Sequence, residues 1–251
     1  MRRGESLILL LAALMIAAGG SSSFANPGFD YTTVNSPTPP EANHAQILYN
    51  IYDQNFTLDG ANNRDYFGDG GITAKRIYDL DDIYFNTVHI YNHEPNDVDQ
   101  IWTDGAVTVT AIAKYASYQQ AFGWNEGGLG TVFHKLVDNT DIGEPGVTFT
   151  ITAGQEFLWG YRATGNPKSG LEWWSWIDKN YHTEDHMVTY FMEGASPTET
   201  VWTIFMEDVR FDTSDKDYND FVVEIRAIPE PATICLLALG GLALLGRKRK
   251  S

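Results

Sequence analysis

VWTIFMEDVRFDTSDKDYNDFVVEI, residues Val201 to Ile225, alternates between two kinds of chain. Val201 to Phe205 and Phe221 to Ile225 are β-branched and aromatic runs of strand length. Between them lie Glu207, Asp208, Asp212, Asp215, Asp217, Asp220 and the amide of Asn219, with only Arg210 and Lys216 of opposite charge. Carboxylates crowded into one turn repel one another unless a cation or solvent relieves them. Calcium is the natural partner, because it is a hard cation that takes about 6 to 8 oxygen ligands in flexible geometry.

The turn is not an EF-hand. Asp215, Asp217 and Asn219 fit the opening of that loop, but Asp220 stands where its glycine is required and Arg226 where its bidentate glutamate belongs. Two readings stay open: a cation site using Glu207, Asp208, Asp215, Asp217, Asn219 and Asp220, or a solvated turn in which Asp and Asn bond their own backbone.

Working outward, the same kind of short run recurs. Ile72 to Tyr78, Asp82 to Tyr91, Val107 to Tyr115, Gln119 to Trp124, Thr131 to Leu136, Val147 to Ile151, Glu156 to Tyr161 and Met187 to Met192 all read as strands between Gly, Asn, Asp or Pro turns. With the two flanks above they predict a mainly β domain over 41–228, an antiparallel, jelly-roll-like β-sandwich. One short N-terminal helix is expected from Glu41 to Tyr52, where Ile47, Leu48 and Ile51 form a stripe. Residues 26–40 carry four prolines and no apolar period, which predicts a linker or arm. A second acidic loop, with Asn62, Asn63, Asp65 and Asp69, reads as a Gly-rich turn or a weaker cation site.

The ends are of another kind. Arg2 and Arg3, an apolar run from Leu7 to Ala18 and Ser23-Phe24-Ala25 form a secretory signal peptide over 1–25, with a signal helix and cleavage after Ala25. At 229–251, Pro229-Glu230-Pro231 precedes an apolar segment over 232–246, read as a transmembrane helix, and then Arg247-Lys248-Arg249-Lys250. This order of parts resembles the PEP-CTERM sorting signal. The resemblance implies recognition by an exosortase-type membrane transpeptidase, a membrane anchor before processing, and delivery to the cell envelope, cell surface or an exopolysaccharide-containing extracellular matrix. An unprocessed C-terminal anchor is the plain alternative.

Between the ends, Asn26 to Ile228 holds 11 Lys and Arg against 31 Asp and Glu, a net charge near −20. So acidic a body repels phosphate backbones and anionic lipid surfaces, which argues against nucleic acid as a partner. The one cysteine, Cys235, lies in the tail. No disulfide can therefore brace the body, and neither a Cys-based zinc site nor a cysteine nucleophile is available there.

The run VTFTITAGQEFLWGY (147–161), then Asp185-His186, then Phe205-Met206-Glu207-Asp208-Val209 and the Asp215 to Ile225 segment resemble the secreted domain of unknown function 4114 family over 147–225. Glu207, Asp208, Asp217, Tyr218, Asn219 and Asp220 match its acidic motif. The resemblance implies calcium binding through those acids and no catalytic chemistry.

Other constellations are weaker. Trp173, Trp174 and Trp176 suggest either a stacking platform for sugar rings or filling between sheets. His182 and His186 flank Glu184 and Asp185 but do not form the H-E-x-x-H of zinc proteases. Gly127, Gly128 and Gly130 lack the Gly-Lys-Ser/Thr of a phosphate loop, and there is no G-x-S-x-G elbow. The expected function is an exported, non-enzymatic surface or matrix protein stabilised by calcium. The alternatives are a calcium-dependent carbohydrate-binding module and a glycoside hydrolase, which would need two carboxyl groups about 5 to 9.5 Å apart.

Overall fold

The computed structural model describes residues 33–60, 64–77, 89–91, 101–126, 132–164, 172–175, 180, 184–210 and 212–227. The signal peptide with Ala25, the motif Pro229-Glu230-Pro231, the segment 232–246 and Trp176 all lie outside them. Among the described residues no helix is long and apolar enough to cross a membrane.

Helix α1 runs over His44–Tyr52 and starts at a reciprocal cap. The Gln46 N–H donates to Asn43 Oδ1 and the Asn43 N–H donates to Gln46 Oε1, both at 2.9 Å. Two of the N–H groups that a helix start leaves without partners are thereby satisfied. Asp53 ends the helix in the left-handed region, with its N–H on the Tyr49 carbonyl. Ile47 and Leu48 are buried, as their spacing predicts, together with His44.

The remaining elements are strands: β1 Phe56–Leu58, β2 Tyr66–Gly68, β3 Thr73–Arg76, β4 His89–Tyr91, β5 Ile101–Lys114, β6 Gln119–Glu126, β7 His134–Asp138, β8 Val147–Thr164, β9 Glu172–Trp174, β10 Met187–Glu193, β11 Thr200–Met206 and β12 Phe221–Ala227. The pairings are antiparallel and follow the order β1-β2-β3-β10-β11-β12-β5-β8-β6-β7, with β4 on β5 and β9 on β8. Among the described residues the protein is thus mainly β and antiparallel with one short helix. Its strands form one hydrogen-bonded path with β4 and β9 as side branches.

Two runs predicted separately, Val147 to Ile151 and Glu156 to Tyr161, belong to the single strand β8. Its register against β5 shifts between Thr103, opposite Glu156, and Gly105, opposite Ile151. Extra residues on one strand are accommodated as a bulge, which bends the strand rather than ending it.

Alternation along β10, β11 and β12 feeds two cores. Trp202, Ile204 and Met206 of β11 and Phe221, Val223 and Ile225 of β12 point into the larger core, where they meet Trp102, Val109, Trp159 and Tyr161 from β5 and β8. Val201, Phe205 and Val222 point the other way, against Val188, Tyr190, Met192 and helix residues Ile47 and Leu48. Strands covered on both faces need apolar residues at nearly every position, which is why 201–206 and 221–225 are apolar except at Thr203 and Glu224, which pair with each other. Trp102 meets Trp202 edge-on, with ring centroids 5.2 Å apart. Such pairs add about 0.5–1.5 kcal/mol beyond the area they bury.

Candidate functional site

The acidic turn joins two central strands, so both of its ends are anchored. Asp208 follows β11, Asp220 precedes β12, and the Asp208 N–H donates to Asp220 Oδ2 at 2.7 Å. Between them the backbone passes twice through the left-handed region, at Lys216 (φ 59°) and Tyr218 (φ 56°). For residues with a Cβ this conformation costs about 1–3 kcal/mol each and persists only where the surroundings hold it. The hold is visible. Tyr218 is fully buried in the smaller core and its hydroxyl donates to the Asp185 carbonyl at 2.8 Å.

The N-terminal segment supplies the rest of the clamp. The Asn35 N–H donates to the Lys216 carbonyl at 2.9 Å, and its side-chain amide donates to the Asp215 carbonyl. His44 Nε2–H donates to the Asp217 carbonyl at 2.9 Å, which leaves Nδ1 to accept from the Tyr190 hydroxyl at 3.1 Å. Its ring stacks on Phe205 at 3.9 Å. Burial lowers the His44 pKa to about 3, so the ring is neutral and this tautomer is fixed. Residue 35, inside the segment read as a linker, is therefore tied to the turn. Only fold geometry brings Asn35 and His44 to it, and nothing in their local sequence marks that role.

The six residues predicted as one ligand set divide in two. Glu207, Asp208 and Asp220 form one group whose ligand oxygens all lie within 4.8 Å of one another, and Asp215 and Asp217 form another with Glu41. Asn219 belongs to neither group. Its side-chain amide donates to the Ala42 carbonyl and to Asp217 Oδ2, both at 3.1 Å, and its backbone N–H donates to Asp217 Oδ1 at 3.2 Å. Asp217 thus has both oxygens engaged, and Asn219 works as a brace between the turn and the start of α1. Glu41 was missed because it lies far away in sequence, at the helix start.

The first group is the more demanding one electrostatically. Glu207 is 1% exposed, and its Oε2 has no hydrogen-bond partner among the described residues. Asp208 is held by Gln120, whose Nε2 donates to Oδ2 at 2.7 Å while its Oε1 accepts from the Tyr161 hydroxyl at 2.6 Å. Burial raises the pKa of Glu207 and Asp208; burial, with the charges of Glu207 and Asp208, raises that of Asp220 to about 10. Two buried carboxylates and the half-buried Asp220, with one bare oxygen among them, call for a proton or a cation. The donor set is all oxygen. Ligand oxygens within 4.8 Å suit an ion that holds its ligands at about 2.3–2.6 Å. These residues offer three of the about 6 to 8 oxygens that calcium takes.

The tryptophans support this site from behind. Trp173 is fully buried, stacks on His186 at 3.5 Å and donates from Nε1 to the Asp208 carbonyl at 3.4 Å. Trp174 is 8% exposed and its backbone is bracketed by Asn180, which accepts from its N–H at 2.6 Å and donates to its carbonyl at 2.9 Å. Neither ring offers a face to a sugar, which corrects the platform expectation for Trp173 and Trp174. His186 donates from Nδ1 to the Glu207 carbonyl at 3.0 Å, so it holds the backbone of the site. In the second acidic loop, Asp69 accepts from the backbone and side-chain amides of Asn55 and forms a turn brace.

Beyond Ala227 the chain enters its C-terminal segment. Residues 227–250 match the PEP-CTERM protein-sorting motif. The motif indicates exosortase-dependent sorting of an exported, cell-envelope-associated protein. No curated protein and no solved structure matches the chain. For the resemblance of 147–225 to the domain of unknown function 4114 family the comparisons bring no support.

Proposed function

We propose that this is a non-enzymatic protein of the cell surface or extracellular matrix, sorted by an exosortase-type system. Its body is a β-sandwich closed by a calcium ion between Glu207, Asp208 and Asp220. The observation that supports the ion is the bare Oε2 of Glu207, buried beside two further carboxylates. Glu207, Asp208 and Asp220 would hold the ion, and it would neutralise their mutual repulsion where β11 passes into β12. In a body without cysteine, that junction is where a cation replaces a disulfide as a fastening.

Thermal melts of the purified body in calcium and in chelator test the reading. A melting temperature that rises with calcium concentration supports it, and identical melts refute it.

A further inference from the structure

Helix α1 turns a polar face to solvent. Asn43, Gln46, Tyr49 and Asn50 are all exposed, three or four residues apart, opposite the buried stripe of His44, Ile47 and Leu48. The chain leaves the helix through left-handed Asp53, and Asn55 and Phe56 then line a groove with that face. The groove holds about 450 Å³. Small-molecule sites enclose roughly 300–1,000 Å³.

The fold aims the polar groups of this groove. In the helix cap, Asn43 Oδ1 and Gln46 Oε1 each accept from a backbone N–H, so the carbonyl end of each amide is fixed and its NH2 end is left for a ligand. Asn55 is fixed the other way. Its Nδ2 donates to Asp69 Oδ2 at 2.8 Å, which leaves its carbonyl oxygen as an acceptor. Tyr49, 44% exposed, adds an aromatic ring and a hydroxyl to the wall. The lining side chains carry no charge, in a body whose net charge is near −20.

Preset amide donors, an amide acceptor, an aromatic ring and no charge match the chemistry of a sugar. Its hydroxyls both donate and accept, and its C–H face packs on an aromatic ring. A carboxylated or sulfated ligand would meet no cation in the lining and would be repelled by the acidic body. We propose that the groove between α1 and β1 binds a neutral saccharide, with Asn43 Nδ2 and Gln46 Nε2 donating to hydroxyls, Asn55 Oδ1 accepting from one, and Tyr49 packing on the ring. Amides already held by the cap lose little freedom on binding, which favours affinity. No carboxylate lines the groove, so the site does not rest on a cation in the turn.

Gln46→Glu separates binding from folding. Glutamate keeps the side-chain oxygen that the capping box needs, since the box takes either residue at this position, but it removes the Nε2 donor and adds a charge. Tyr49→Ala removes the ring and lies outside the cap. The full chain, purified in a detergent without a sugar headgroup, is titrated calorimetrically with neutral oligosaccharides of glucose, galactose, mannose and N-acetylglucosamine, and with uronate and sulfated oligosaccharides for comparison. At least one neutral series is expected to bind, and each substitution to weaken it about tenfold at an unchanged melting temperature. Should the glutamate variant melt lower, the Tyr49→Ala titration decides. Absence of binding to every neutral series, binding confined to the charged ones, or parental affinity in Tyr49→Ala overturns the site.

Discussion

The backbone N–H of Asp208 donates to Oδ2 of Asp220 at 2.7 Å, joining the chain just after β11 to the chain just before β12. Asp220 has a raised pKa because it is buried beside Glu207 and Asp208, so the link that closes the turn also gathers the charge that strains it. Calcium bound at 100 times its dissociation constant would add about 2.7 kcal/mol of stability. For a body of this size that is a rise of about 5–10 °C in melting temperature. Glu207→Gln removes one charge and the bare oxygen's demand for a cation. The expected variant melts no lower than the parent in chelator and loses the calcium response; a retained response would place the ion elsewhere.

The same groups set the pH dependence of the metal-free protein. Asp217 is raised from 3.8 to about 7 by burial, and Asp220 from 3.8 to about 10 by burial and its acidic neighbours. Each binds more protons folded than unfolded above pH 3.8, so each contributes stability that is lost as pH rises towards its folded value. His44 and His186 act oppositely. Burial lowers them from 6.5 to about 3 and about 4, so their contribution is present above 6.5 and is lost as pH falls towards those values. The two effects offset one another below pH 6.5. Above it the histidines contribute a constant amount and the carboxylates a declining one. Melting temperature in chelator is expected to fall from pH 6.5 to 9, and saturating calcium is expected to flatten that slope. A metal-free melting temperature that rises over this range would contradict the protonated cluster.

Asn219 separates bracing from ligation. Asn219→Ala leaves the Ala42 carbonyl and Asp217 Oδ2 without their donor in a buried setting. Unsatisfied buried groups cost about 1–3 kcal/mol. The variant is expected to unfold at lower denaturant by about that amount while keeping the full calcium shift. Loss of the shift would return Asn219 to the ligand set.

These outcomes follow from contacts that were unevenly visible in the chain itself. The apolar runs of β10, β11 and β12 were legible because both faces of these strands are covered and almost every residue reports it. Helix α1 was legible from its stripe. The unity of β8 was not, since the register shift at Ile151 to Glu156 has the local look of a turn. β1 and β2 were missed because each is three residues long and lies beside a Gly- and Asp-rich loop. At the site, the acids themselves stood out, but their division into two groups depends on left-handed Lys216 and Tyr218, conformations that neither residue type advertises. Asn35, Glu41 and His44 reach the turn from more than a hundred residues away, and no spacing rule spans that distance.

Close approach of backbones gives a last test, on the fold. Gly123 in β6 sits where the register against β7 shifts, and a Cβ built there would run into the backbone carbonyl of His134. A carbonyl in a strand cannot swing aside as a side-chain end can, so the added methyl forces β6 and β7 apart. At Gly60 no described residue comes within 4 Å of the same added atom. Gly123→Ala is expected to destabilise by about 1–3 kcal/mol, in the range of core overpacking, and Gly60→Ala by less than about 0.5 kcal/mol. Denaturant midpoints at constant slope measure both. Equal midpoints for the two variants would mean that β7 does not pair with β6 in this register.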